Sequence, residues 1–162
     1  MRRKVISPFG ISLLLMACSQ PQPHPSDRLL RETFSAHRSE FTNLLVPFLA
    51  EPWLVEIDGD GIRAAWTGDG SRPIRDDRWN RYWPLMVRVN VQRIGRTYDG
   101  DIIFIVSENG PFAGGSAKGY EYTSRQKGPV VASLDPVSLD CREVYYTFLE
   151  RSWYLYLQSY CS

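Results

Sequence analysis

A chain of 162 residues, 43% hydrophobic and 23% charged, is long enough for one packed domain with an N-terminal appendage and too apolar for global disorder. Its formal charge of +1 argues against a nucleic-acid binder and against a polybasic membrane-surface protein. Five Trp and nine Tyr favour an aromatic, β-containing core over a helical bundle.

The chain opens on Arg2, Arg3 and Lys4, followed by a mostly apolar run from Val5 to Ala17. A spanning helix needs about 20 apolar residues. A positive patch before a shorter apolar run is the layout of a secretory signal. Without its first 17 residues the chain keeps 16 basic against 18 acidic residues, a net charge of −2, so the positive balance belongs to the targeting segment.

Leu15-Met16-Ala17-Cys18 closes the apolar run. It resembles the lipobox of bacterial lipoproteins, Leu-x-Ala/Gly-Cys, with Met at the variable place. An ordinary signal cleavage site wants small residues at −1 and −3, and Leu15 is too large for −3. The resemblance implies a diacylglyceryl group on the Cys18 thiol, cleavage before Cys18, and acylation of the new amine. Residues 1–17 are then a signal peptide, 18–25 a lipidated cysteine and tether, and 26–162 a single domain. The implied partner is a membrane, reached through the lipid anchor. In that family an aspartate after the cysteine often retains the protein in the inner membrane. Ser19 stands there instead, which implies the outer membrane of a two-membrane bacterium, facing the periplasm. Ser19 to Pro25 has three prolines and no apolar side chain, and reads as an extended tether.

Residues 27–50 read as one helix, with Leu30, Phe34, His37, Phe41, Leu44 and Phe48 on a stripe, Ser26 or Asp27 as N-cap, and Pro47 ending or kinking it. His37 on that stripe reads as a packed histidine with a local hydrogen bond rather than a ligand or base. Trp53 to Thr67 reads as a hairpin turning on Asp58-Gly59-Asp60-Gly61. Residues 68–73 form a loop. A short helix from about Asp76 and a strand ending near Thr97 share the ambiguous stretch around Pro84. Ile102 to Ser107 is a buried strand, Gly110 to Gly119 a glycine-rich surface loop, Tyr120 to Ser124 a short strand, and Pro129 to Leu134 an extended piece. Helix first, then hairpin-connected strands, predicts an α+β fold with the N-terminal helix packed on a mainly antiparallel sheet.

The last 22 residues read as a hairpin around Glu150-Arg151-Ser152. In that register Leu149 faces Trp153, Tyr146 faces Tyr156, and Cys141 faces Cys161. With Cys18 lipidated, these two cysteines form the one available pair in a disulfide-permissive compartment. Opposed Cα atoms about 4.5–5.5 Å apart suit a disulfide. A two- or four-residue loop would slip the pair. One face of the hairpin carries Tyr145, Leu149, Trp153, Leu155 and Leu157, the other Tyr146, Phe148, Tyr154, Tyr156 and Tyr160. The second face either stacks on glycan or docks a partner, or is covered by other parts of the chain.

The order of elements also resembles a loose group of small bacterial envelope lipoproteins. The matching stretches are Lys118-Gly119-Tyr120-Glu121-Tyr122, Ser133-Leu134-Asp135 and Trp153-Tyr154-Leu155-Tyr156. That group offers no activity to transfer.

Chemical motifs are thin. The Asp58–Gly61 stretch begins like an EF-hand loop, but the fifth, sixth and twelfth positions hold Ile62, Arg63 and Asp69. The glycine-rich loop lacks the Gly-Lys-Ser/Thr of a phosphate-binding loop, and Ser116 and Lys118 lack the spacing of a Ser-x-x-Lys site. Two histidines and three cysteines are too few for a zinc site beside a disulfide, and His24 lies in the tether. No catalytic residue, metal or cofactor is assigned. The expectation is a lipid-anchored, non-enzymatic binding or assembly module with an envelope protein or glycan as partner. Its candidate binding residues are Tyr146, Tyr154, Tyr156 and Lys118. The alternatives are a small envelope hydrolase working with paired carboxylates and a purely structural lipoprotein.

Overall fold

The computed structural model describes residues 23–64, 75–110, 115–135 and 137–160. The residues expected as a signal peptide, Cys18, Trp66, the expected 68–73 loop, the tip of the glycine-rich loop and Cys161 lie outside the described residues.

The described chain forms a single α+β domain. Helices α1 (Asp27–Ala36) and α2 (Arg38–Ala50) precede strands β1 (Leu54–Asp58) and β2 (Ile62–Ala64), then helix α3 (Asp77–Arg88), then β3 (Arg93–Arg96), β4 (Ile102–Asn109), β5 (Ser116–Tyr122), β6 (Val144–Glu150) and β7 (Trp153–Ser159). The strands form one seven-stranded sheet in the order β2-β1-β3-β4-β5-β7-β6, antiparallel at every junction.

The helix expected over 27–50 is two helices. Ser26 caps α1, its hydroxyl accepting the Leu29 N–H at 3.3 Å. At His37 the backbone leaves helical geometry (φ −123°), while its N–H still donates to the Thr33 carbonyl. His37 is partly exposed, and its Nδ1 lies 3.6 Å from Glu40 Oε1, an acidic partner within one turn. Pro47 does not end α2. The helix continues to Ala50, and the Glu51 N–H donates to the Pro47 carbonyl at 2.8 Å. Pro47 itself is buried, so packing outweighs the hydrogen bond its missing N–H forfeits.

Helix α3 is longer than expected and the strand after it shorter. Asp76 caps it by accepting the N–H groups of Arg78 and Trp79 at 2.9 and 3.2 Å. It passes through Pro84, so Val87 is helical rather than extended. Strand β5 begins at Ser116, four residues earlier than expected, and takes Lys118 out of the loop. The piece from Pro129 to Leu134 makes an isolated parallel bridge, Val130 to Tyr146, with the Val131 N–H donating to the Tyr146 carbonyl at 2.7 Å and the Tyr146 N–H to the Pro129 carbonyl at 3.0 Å.

The β6–β7 hairpin keeps the expected register by a different route. Tyr146 opposes Tyr156 and Val144 opposes Gln158. The turn is the two residues Arg151 and Ser152, with Arg151 at φ +42°, and Glu150 opposes Trp153. A bulge between Phe148 and Glu150 absorbs Leu149, so Leu149 does not oppose Trp153. The shorter turn and the extra residue cancel.

The main core gathers Leu30, Phe34, Phe41, Leu44 and Phe48 with Met86, Ile94, Phe104, Tyr120, Trp153 and Leu155. The Phe41 ring meets those of Phe104, Tyr120 and Trp153 at 4.7–6.0 Å, mostly edge to face. A second cluster of Ile105, Ala117, Tyr146, Tyr154 and Tyr156 fills the opposite face of the sheet.

Candidate functional site

The alternation along β5 places Ser116, Lys118 and Tyr120 on one face. In register with them stand Asn109, Ser107 and Phe104 on β4 and Leu157 on β7. This face carries four polar side chains, Ser107, Asn109, Ser116 and Lys118, at the sheet end where β4 finishes and β5 begins.

Lys118 is buried to 2% exposure and is held by two aspartates. Its Nζ lies 2.8 Å from Asp27 Oδ1 and 2.7 Å from Asp135 Oδ1. Asp27 Oδ2 accepts the Ser133 hydroxyl at 2.8 Å and the Leu134 N–H at 2.6 Å, and the Asp27 N–H donates to Asp135 Oδ1 at 2.9 Å. The Lys118-Gly119-Tyr120 and Ser133-Leu134-Asp135 stretches therefore meet at the first residue of α1. Tyr120 adds a second tie, its hydroxyl donating to the Leu30 carbonyl at 2.9 Å. Burial pushes the Asp135 carboxyl up, but the Lys118 amine and the Asp27 N–H outweigh it and hold Asp135 below its ordinary value. Lys118 is thus not the exposed loop cation expected of a binding residue. Its charge is consumed inside the fold, where an unpaired ion would be strongly unfavourable.

His24 lies beside Lys118, pinned rather than free in a tether. Its Nδ1 is 2.7 Å from Ser107 Oγ and its Nε2 2.7 Å from Ser116 Oγ, so one ring bridges β4 and β5. Burial first, then the Lys118 charge, lowers the His24 pKa, favouring the neutral ring. A neutral imidazole donates to one hydroxyl and accepts from the other.

This polar strip forms one wall of a pocket of about 440 Å³. His24, Ser116 and Tyr160 stand around an apolar floor of Val137, Leu139 and Leu157, with Asp140 and Cys141 on the rim. The Ser159 hydroxyl is not available to a ligand. It donates to the Asp140 carbonyl and accepts the Glu143 N–H. Cys141 sits in the Asp140–Glu143 turn, and its expected partner Cys161 lies outside the described residues.

The tyrosine face is closed. Tyr146, Tyr154 and Tyr156 are 7%, 8% and 1% exposed, and only Phe148 among their neighbours stands out at 51%. Lys127 lies over the Tyr146 ring at 5.4 Å and binds Asp101 Oδ2 and Glu121 Oε1 at 2.6 and 2.5 Å. Burial pushes Glu121 up and raises the Tyr146 phenol to about 12. The Tyr156 hydroxyl is fully buried and has no hydrogen-bond partner among the described residues. None of the three tyrosines lines the pocket.

Among the described residues, carboxylate pairs share a cation at several places, among them Asp27 and Asp135 on Lys118, Asp101 and Glu121 on Lys127, and Glu56 and Asp58 on Arg63. Asp58 Oδ1 is further taken by the N–H groups of Asp60 and Gly61, at 2.8 and 3.1 Å, which closes the β1–β2 turn. Among the described residues no cluster of three His, Cys, Asp or Glu side chains could hold a metal ion.

The pocket escaped the sequence reading because its polar wall joins His24 to residues more than 80 positions away. One signal was present: a lysine at a core-facing position of an alternating strand needs a buried carboxylate. No protein-family model matches the chain, and no curated protein or solved structure matches it.

Proposed function

We propose that this chain is a lipid-anchored envelope protein, held by Cys18 to the periplasmic side of the outer membrane. In this reading it is a non-enzymatic binding module, with α1 and α2 as the cover of one sheet face. The observation that carries it is the pocket of about 440 Å³ beside His24, a volume suited to a small ligand. Its wall offers the remaining hydrogen-bonding capacity of the Ser116 hydroxyl, which His24 orients, its rim an aspartate, and its floor aliphatic side chains. That chemistry favours an uncharged, hydroxyl- or amide-bearing ligand with an apolar side, such as an N-acetylated glycan fragment, over an anion. The hydrolase alternative draws no support from carboxylate pairs already neutralised by Lys118, Lys127 and Arg63.

Two measurements test the reading. Labelled palmitate is incorporated by the wild type and not by Cys18→Ala; equal labelling removes the anchor. Titration of the mature chain with soluble peptidoglycan fragments shifts amide resonances at Ser116, Leu157 and Tyr160, and Ser116→Trp abolishes the shifts by filling the pocket. Shifts confined to other surfaces refute the pocket as the site.

A further inference from the structure

Helix α3 spans 12 residues and is amphipathic, yet only Met86 on it is buried. Together with Arg75 it carries four arginines, of which Arg78 pairs with Asp76 and Glu51 and the exposed Arg88 lies 3.5 Å from Glu40. Trp79 and Trp83 stack at 5.8 Å and stay half-buried, with the Arg75 guanidinium 4.8 Å above Trp79. Arg81, Pro84, Val87 and Arg88 are exposed. Trp79, Tyr82 and Trp83 pack against the core, so the outward face offers Arg81 and Arg88 beside Val87, cations next to an apolar side chain, as on a helix that lies on a membrane surface.

Position decides what such a helix meets. At its start, the Trp79 ring N–H donates to the Asp58 carbonyl at 2.9 Å, where β1 ends beside the first residue of β3. At its finish, Val89 and Asn90 share a pocket of about 200 Å³ with Pro25 and Leu29. Both ends of α3 therefore lie at the sheet end where His24 is pinned to Ser107 and Ser116. Leu29 and Val87, flanking that junction, are 50% and 58% exposed. From Cys18 to His24 there are six residue steps, which fully extended reach about 22 Å. A lipid on Cys18 cannot leave this end of the molecule far from the bilayer.

We infer that α3 docks on an anionic phospholipid surface, with Arg81 and Arg88 on the headgroups and Val87 and Leu29 against the interface. Its place at the membrane rests on the lipid-anchor reading. The helix is too short to span, so it lies on the surface. Docking turns a tethered domain into an oriented one, with the pocket beside His24 held close to the membrane.

The test uses the mature chain from residue 19, secreted through a cleavable signal, so that no lipid contributes. It sediments with phosphatidylethanolamine vesicles containing phosphatidylglycerol and not with phosphatidylcholine vesicles. Arg81→Gln/Arg88→Gln weakens that binding about thirtyfold. Arg38→Gln/Arg151→Gln removes the same charge at the opposite end of the sheet and changes it less than twofold. Both pairs are on the surface, and unaltered melting temperatures exclude misfolding. No preference for phosphatidylglycerol, or equal loss in the two double variants, overturns the inference. Palmitate labelling of Cys18 is read separately, so a missing anchor and a missing docking face give different results.

Discussion

At the scale of single residues, Tyr156 separates binding from packing. A phenol placed to meet a ligand keeps its hydroxyl at a surface. The Tyr156 hydroxyl is fully buried with no hydrogen-bond partner among the described residues, and burial together with the nearby Tyr160 and Glu121 groups pushes its pKa well up. A buried hydroxyl without a hydrogen bond carries a desolvation cost with nothing in return. Tyr156→Phe removes that cost and leaves the ring packing intact. Chemical denaturation should show the variant more stable by about 1 kcal/mol, with ligand binding unchanged. A loss of stability would mean that the hydroxyl has a partner, and a loss of binding would return the tyrosine face to the site.

At the scale of elements, the junction of β4 and β5 explains why glycine stands between Lys118 and Tyr120. A β-bulge lies between Ile105 and Ser107, and there the two backbones close in. A Cβ on Gly119 would come within 2.0 Å of the Phe104 carbonyl oxygen, which only a shift of backbone could relieve. Gly119→Ala should therefore cost about 3 kcal/mol or more, read as a fall in denaturation midpoint, and should loosen the Lys118–Asp27 pairing beside it. A neutral result would show that the strands part easily at the bulge. The same junction shows what was legible in advance. The two faces of β6 and β7 were readable because aliphatic and tyrosine side chains alternate in adjacent positions, a purely local signal. The turn chemistry of Asp58–Gly61 was readable for the same reason. The break at His37 was not, since the apolar stripe continues through it and only backbone geometry interrupts the helix. Lys118 was misplaced because glycines at 110, 114, 115 and 119 read as loop, while the partners that bury its charge stand 17 or more residues away. Local pattern reveals which face a side chain takes; it does not reveal the distant charge that lets a lysine be buried.

At the scale of the whole molecule, the sheet has two unlike ends. One carries the Arg151 turn and the Asp99–Gly100 turn. The other gathers α3, the pocket and the clasp of His24 on Ser107 and Ser116, which fixes where the chain meets the sheet before α1. That clasp should respond to pH. His24 is lowered by burial and by the Lys118 charge from β5; the groups it meets on β4 and β5 are the Ser107 and Ser116 hydroxyls, with no carboxylate among its hydrogen-bond partners to favour the charged ring. A histidine whose folded pKa lies below its unfolded value of about 6.5 contributes stability above that pH, and the contribution is lost as pH falls through the folded value. The clasp should therefore hold at pH 7 and weaken on acidification toward pH 5. Amide protection factors over residues 24–30, corrected for intrinsic exchange, should drop across that window in the wild type. In His24→Gln, which bonds both serines without titrating, they should stay level. If wild-type protection is as high at pH 5 as at pH 7, the protonated ring is accommodated. The chain before α1 would then be held at a fixed point on the sheet at either pH.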